Sequence, residues 1–258
     1  MFKDRQYIKS FPFVIYLMTI EFHKLVDIKP KSPTVVVGFP GTGLVGSIAA
    51  AYLVDSLGFE FIGYVTSPDF APLASIHNYK AYPPMRIHYS KKYDILVVLS
   101  EMSVPISSSS MLASEIFTFA KSMNASSIIS LGGISLKESP NAIYVLSSDE
   151  TITKKILDSK KFKSIKEGAT TGVSGVLLTE GTIHKFPVTL FLSEASEDYV
   201  DPGAASSVLK ALSSYLNLPV DTKKLDKEAK DVGEQMRESV VKSKAFAKKS
   251  KDLGPMYG

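Results

Sequence analysis

Short apolar runs alternate with helical patterns through most of the chain, and this alternation restricts the folds that it can adopt. The apolar runs predict buried strands at Thr34–Phe39, Phe59–Val65, Asp94–Ser100, Ser127–Leu131, Ala142–Leu146 and Val188–Leu192, with a more exposed strand at Met85–Tyr89. The helical patterns fall at Leu44–Leu57, Ser108–Met123, Asp149–Asp158, Val173–Thr179 and Ala204–Leu216. Strands that alternate with helices of this length predict an α/β fold, a three-layer sandwich around a mostly parallel sheet.

The composition changes after Pro219, where a strongly charged segment begins. Between Asp221 and Lys251 the apolar residues follow helical spacings, which predicts an amphipathic helix with a narrow apolar stripe. A stripe this narrow lies on the core or pairs with a copy of itself, so the helix is a candidate for self-association. The predicted divisions are an α/β core domain over residues 1–220, a charged amphipathic helix over 221–251 and a flexible end over 252–258.

An apolar segment near the start, Phe11–Ile20, follows basic residues and so imitates part of a signal peptide. It lacks a small-residue cleavage site, and it is too short to span a bilayer, which takes about 20 apolar residues. We therefore expect no membrane partner, and Met18 is a candidate start that leaves residues 1–17 upstream. The chain has no cysteine, which is compatible with the reducing cytoplasm, the compartment that we predict.

The charge distribution gives little support for nucleic-acid binding. The formal net charge is +4 for 258 residues, which is too small for a basic surface across the core. Lysines concentrate near the C-terminus, at Lys242, Lys244, Lys248, Lys249 and Lys251. A lysine-rich helix end of this kind is usually a solvated face, so we expect no nucleic-acid partner.

A glycine turn, GFPGTGLVG, joins the first buried strand to the first helix, and its Gly41, Gly43 and Gly46 have the spacing of a dinucleotide-binding turn. The acid that would bind a ribose is missing, since no carboxylate follows the next strand until Asp69. A P-loop would need a lysine where Leu44 stands. Two interpretations stay open, a sharp turn with close helix packing or a site where free amides hold an anion. The candidate anion-binding residues are Gly41, Thr42, Gly43 and Gly46.

Carboxylates follow several predicted strands, where an open α/β sheet usually forms its ligand crevice. They are Asp69, Glu101, Glu194, Glu197 and Asp198. Asp69 and Glu101 are the ligand-binding candidates, although acids at strand ends also cap the helices and turns that follow. An alternative function follows from them, a nucleotide- or nucleoside-binding enzyme of the phosphorylase or ATP-dependent ligase kind. In it the glycine turn holds phosphate, and Glu101 or Asp69 acts on a sugar or a metal.

Other motifs fall short of a catalytic site. The segment GVSG at Gly172–Gly175 is one residue short of a nucleophile elbow, and Ser107–Ser110 is predicted to cap a helix. The histidines lack metal-binding spacing and have no cysteine partners. They are His23, His77, His88 and His184. We therefore predict no catalytic residue, no metal site and no cofactor.

Six stretches in order give the chain a family resemblance over roughly Thr34 to Leu216. They are GFPGTGLVG, DFAPLASIHN, DILVVLSEMSVP, SLGGI, GATTGVSGVLLTEG and YVDPGAASSVLKAL. Together they resemble the proteasome assembly chaperone 2 family in its archaeal form. The resemblance implies a fold similar to purine nucleoside phosphorylases, a tendency to self-associate, and a sandwich that serves as a binding scaffold and not as an enzyme. On this view the glycine turn is a structural signature of the family.

The last three residues, Met256, Tyr257 and Gly258, follow the pattern hydrophobic, tyrosine, any residue. This pattern resembles the tails by which proteasome activators and some assembly chaperones bind pockets between α-subunits of the 20S ring. The tail follows the Gly254-Pro255 break, which favours a mobile end that can reach a partner. The resemblance thus implies a chaperone-like protein that binds the 20S proteasome α-ring.

Overall fold

The computed structural model describes residues 19–136, 139, 142–158 and 160–229, which form strands β1–β10 and helices α1–α5. The strands are β1 Glu21–Lys24, β2 Thr34–Gly38, β3 Glu60–Thr66, β4 Ser75–His77, β5 Lys80–Tyr82, β6 Met85–Ser90, β7 Ile95–Ser100, β8 Ser127–Ile134, β9 Ile143–Ser147 and β10 Val188–Glu194. The helices are α1 Val45–Leu57, α2 Ile106–Ser122, α3 Glu150–Asp158, α4 Gly172–His184 and α5 Pro202–Leu216.

Eight strands form one mixed sheet in the order β1-β3-β6-β7-β2-β8-β10-β9. The four strands β7, β2, β8 and β10 are parallel to one another. On one side β6, β3 and β1 continue the sheet in antiparallel pairs, and β9 does so at the other edge. We call β1, β3 and β6 the antiparallel wing. The sheet is therefore parallel in its centre and antiparallel towards both edges, a mixed sheet where the sequence predicted a mostly parallel one.

Helices cover both faces of the sheet, which confirms the predicted three-layer α/β sandwich. Side chains of α1, α3 and α5 pack on one face, together with alternate strand residues such as Val36 and Val97. Side chains of α2 and α4 pack on the other face, against residues such as Val35 and Val98. Because both faces are covered, the central strands are apolar throughout instead of alternating with polar residues.

The strands and helices predicted between Thr34 and Leu216 are all present, with ends that differ by up to five residues. Strand β6 differs in exposure, since the sequence predicted a more exposed strand and all six residues from Met85 to Ser90 are buried. The alternation of polar and apolar residues suggested one solvated face, but β6 lies between β3 and β7 and is covered on both sides.

A small hairpin of β4 and β5 was not expected from the sequence. Its turn residues Asn78 and Tyr79 have φ values of 49° and 63°, the left-handed pair that a two-residue hairpin turn requires. The Tyr79 side chain is fully exposed at the tip. The strands are only three residues each, too short for a visible apolar pattern.

The predicted helix cap at Ser107–Ser110 was wrong. Helix α2 begins at Ile106, after Pro105, and no side chain caps it, so these serines already lie in its first turns. Ser108 instead donates its hydroxyl to Asp69, and Ser109 donates to the Pro105 carbonyl.

The charged segment begins with a helix over residues 223–229 that is fixed to the core. Leu225 is buried in the cluster around α1 and α5. Asp226 accepts hydrogen bonds from Ser206 and from Lys210, at 2.9 and 3.0 Å for the lysine. The rest of the predicted helix up to residue 251, the tail over 252–258 and residues 1–17 lie outside the described residues.

Candidate functional site

A cavity of about 700 Å³ lies where the parallel strands β2, β8 and β10 end. We call it the strand-end cavity. It is lined by the glycine turn, by the end of β8 with the residues that follow, and by the segment 165–174 that leads into α4. This is the position at which an open α/β sheet is expected to bind ligands.

The glycine turn divides its residues between this cavity and the packed interior. Gly41 and Thr42 line the cavity, and a Cβ on Gly41 would meet no atom within 4 Å. At Gly43, φ is 62°, and a Cβ would lie 3.0 Å from that of Asp201. At Gly46 a Cβ would lie 2.3 Å from the Leu131 carbonyl oxygen. Packing therefore accounts for Gly43 and Gly46, whereas only Gly41 and Thr42 of the predicted anion site face open space.

Helix α4 starts at the wall of the strand-end cavity. Its N-cap residue Thr171 makes no side-chain capping hydrogen bond, and Val173 and Ser174 in the first turn line the cavity. The Ser174 hydroxyl is 2.7 Å from that of the buried Ser130. Chemically, this wall offers hydroxyls and backbone groups, which suit hydrogen bonding to a polar group better than proton transfer.

The two carboxylates predicted as ligand-binding candidates lie elsewhere. Asp69 accepts a hydrogen bond of 3.0 Å from Ser108 in the first turn of α2. Asp69 therefore holds the start of α2 through this hydrogen bond, a structural role that acids near helix starts often have. It is not among the residues that line the strand-end cavity. Glu101 follows β7 and faces the antiparallel wing.

Glu101 is the centre of an ion-pair network with Arg86 and His77. The Arg86 guanidinium contacts both carboxylate oxygens, and the His77 Nε2 lies 2.9 and 3.0 Å from them. Burial alone would raise the pKa of Glu101, but hydrogen bonds from Arg86, Ser75 and His77 outweigh it and lower the pKa. The network ties the β4–β5 hairpin to the sheet. It brings together residues that are up to 24 positions apart in the sequence.

Sequence reasoning did not find Arg86, His77 or the neighbouring His88 as parts of a site. The available signal was the alternation in β6, which places Arg86 and His88 on one face of a strand. Among the described residues, no group of three or more His, Asp or Glu side chains has the arrangement of a metal site. None of the described helices has the length and apolarity to cross a membrane.

Comparison with known proteins gives the family. The profile of the PAC2 family matches residues 35–240, which is most of the chain. The chain belongs to the PAC2 family. This confirms the resemblance carried by the six stretches between Thr34 and Leu216.

Known proteins are similar to this chain over nearly their whole length. The crystal structure of PbaA from Pyrococcus furiosus, described as an archaeal homolog of proteasome-assembly chaperone, is 30% identical with a TM-score of 0.76 and covers 92% of this chain and 99% of its own. PbaB from the same organism, described as an archaeal proteasome activator, is 24% identical with a TM-score of 0.76, covering 86% of this chain and 99% of its own. An uncharacterized protein of Methanocaldococcus jannaschii is 28% identical over 93% of this chain and 98% of its own.

Proposed function

We propose that this protein is a proteasome assembly chaperone-like factor that self-associates and binds the α-ring of the 20S proteasome through its C-terminal tail. One observation carries the proposal, the 30% identity to PbaA over almost the full length of both chains. The similarity to PbaB is lower and supports the shared fold.

The contact that we propose is made by Met256, Tyr257 and Gly258. The Gly258 carboxylate pairs with a lysine of an α-ring pocket, the Tyr257 ring packs in it with its hydroxyl hydrogen-bonded, and Met256 fills an apolar recess. A single tail of this size binds weakly. Several tails on one oligomer bind more tightly, because each binding event raises the effective concentration of the next tail.

Self-association needs an apolar surface, and the hairpin segment offers one. Leu73, Ile76 and Tyr79 are all exposed there, with Ile76 at 65%. Exposed apolar side chains are a feature of many protein contact sites when they form a patch. The proposed self-association is tested by light scattering of the full chain, for which we expect the mass of an oligomer at micromolar concentration.

The tail is tested by capture of purified archaeal 20S α-rings. We expect the full chain to capture them and both Tyr257→Ala and deletion of the last three residues to reduce capture at least tenfold. Tyr199→Ala removes a partly exposed tyrosine elsewhere and should leave capture unchanged. Equal capture by all variants would show that the tail is not the docking element, and a monomer by light scattering would remove the contribution of several tails.

The enzyme alternative rests on the glycine turn and on Asp69 or Glu101, and the described residues favour it less. Packing accounts for Gly43 and Gly46, while Asp69 and Glu101 are engaged with Ser108 and with Arg86. Calorimetric titration with ATP, inosine and phosphate tests it directly. Micromolar binding that Gly43→Val abolishes, in a variant shown to be folded, would favour the enzyme over the scaffold.

A further inference from the structure

A second cavity, of about 570 Å³, lies on the antiparallel wing of the sheet. We call it the wing cavity. It is lined by the end of α1, β3, the β4–β5 hairpin, β6, the end of β7 with the residue after it, and Lys224. Its volume falls within the range of about 300–1,000 Å³ that is common for small-molecule sites.

The floor of the wing cavity is polar although it is buried. Arg86 and His88 project from the same face of β6, at 6% and 9% exposure. Arg86 is compensated there by Glu101 and by the Pro83 carbonyl. The arginine and its carboxylate together leave no net charge at this part of the floor.

His88 is not compensated in the same way. Within the described residues, neither ring nitrogen has a hydrogen-bond partner, and both are shielded from water. Burial lowers the pKa of His88 to about 4, with a further decrease from Arg86. A backbone contact with Phe59, which falls outside hydrogen-bond geometry, and the charge of Glu101 act in the opposite direction. At neutral pH the ring is therefore uncharged, with one donor nitrogen and one acceptor nitrogen. Buried polar atoms without partners are uncommon in native proteins and often mark a functional site.

The walls of the wing cavity are aromatic, and its charges balance. The Phe61 and Tyr82 rings are perpendicular at 5.7 Å between centroids, and Phe61 lies 5.6 Å from the His88 ring. Arg86 and Lys224 are matched by Glu101 and Asp55 around the cavity. The two perpendicular rings form an aromatic corner, in which a flat ligand can stack on one ring and contact the other with its edge. The balanced set of charges favours a ligand without net charge.

We propose that the wing cavity binds a neutral, planar heteroaromatic molecule that carries a hydrogen-bonding group on its edge. Its ring stacks on one of the two aromatic rings, Phe61 or Tyr82, and its polar edge forms a hydrogen bond with one ring nitrogen of His88. Because these nitrogens are shielded in this structure, binding includes a side-chain rotation at the cavity wall, where Phe61 adjoins the imidazole. This site consists of residues other than those of the C-terminal tail, and ligand binding there does not depend on the proposed proteasome contact.

Two small probes of this class, adenine and nicotinamide, test the proposal by calorimetry on the full chain. We expect dissociation constants below about 1 mM, which ligands of this size can reach. Benzoate and benzamidine have similar rings but carry a charge, and they should bind at least tenfold more weakly. Failure of both neutral probes to bind at several times this concentration overturns the proposal.

Substitutions of His88 separate hydrogen bonding from shape. His88→Phe keeps a ring and should weaken binding at least tenfold, whereas His88→Gln restores a donor and an acceptor and should bind within about threefold of the unsubstituted protein. His184→Phe, a half-exposed histidine outside the cavity, should bind normally. Equal binding by His88→Phe overturns the proposal. If that variant does not fold, ring-nitrogen NMR signals of His88 decide, because they must shift when adenine binds.

Discussion

At Gly46, helix α1 approaches strand β8 so closely that no side chain fits between them. A Cβ there would lie 2.3 Å from the Leu131 carbonyl oxygen and 2.9 Å from that of Phe39. Both atoms belong to the backbone of the sheet region, which cannot turn aside as a flexible side chain can. The glycine is thus required by packing, whatever the nearby cavity binds.

Gly46→Ala should therefore lower the free energy of unfolding by about 3 kcal/mol, because the added methyl group forces the helix and sheet apart. Gly41→Ala is the matched control in the same turn. Its backbone is extended, with φ at −161°, and its Cβ would enter open space, so we expect a change within about 0.5 kcal/mol. Urea unfolding of both variants measures this, and similar losses at the two positions would contradict the packing explanation.

His88 should make the stability of the protein depend on pH. Its pKa is about 4 in the folded protein against 6.5 for an ordinary histidine, so the unfolded chain binds the proton more readily. Above pH 6.5 the ring is neutral in both the folded and the unfolded chain. As the pH falls from 6.5 towards 4, mainly the unfolded chain takes up the proton, so the free energy of unfolding decreases. Between pH 7 and pH 5 we expect a loss of about 2 kcal/mol from this residue. Urea unfolding at both values should show that this part of the loss is absent in His88→Phe, and an unchanged loss would contradict the assignment.

Among the elements, the helix at the start of the charged segment decides how far the chain can be shortened from its C-terminal side. Leu225 is 2% exposed, and the Tyr52 hydroxyl donates to the Asp221 carbonyl beside it. We predict that Leu225→Ala costs about 2–5 kcal/mol, the usual range for a buried leucine. Lys227→Ala, at an exposed position of the same helix, should cost almost nothing. A chain ended at Pro219 should be less stable than one ended after residue 229. Equal stability of these two chains would mean that the helix over residues 223–229 does not belong to the core.

The elements were largely predictable, because each buried strand is a continuous apolar run and each helix has apolar residues at helical spacing. What periodicity does not contain is the identity of neighbouring strands, since that depends on contacts far apart in the chain. The burial of β6 and the pairing of Arg86 with Glu101 both depend on β6 lying beside β7. Sequence alone placed Glu101 at a strand end but did not show that Arg86 would neutralise it.

At the scale of the whole molecule, the candidate residues separate because the sheet has a parallel centre and an antiparallel wing. The glycine turn and the start of α4 meet at the strand-end cavity, whereas Glu101 turns to the wing. The sequence analysis expected one crevice for all of these residues. That expectation holds for a fully parallel sheet, in which the carboxyl ends of all strands lie at the same edge. The family was recognisable because it depends on ordered motifs, which do not require knowledge of strand pairing.

The fully exposed turn of the β4–β5 hairpin has a consequence for chain connectivity. Strand β2 precedes this turn, yet it lies between β7 and β8, which both follow it. A protein expressed as two separate polypeptides, divided between Tyr79 and Lys80, should therefore reassemble by complementation. Strand β2 of the first fragment must pair with β7 and β8 of the second fragment to complete the sheet. We expect the two fragments to elute together in gel filtration and to separate only in denaturant. The hairpin is thus a position where the gene can be split while the shared sheet keeps the halves together.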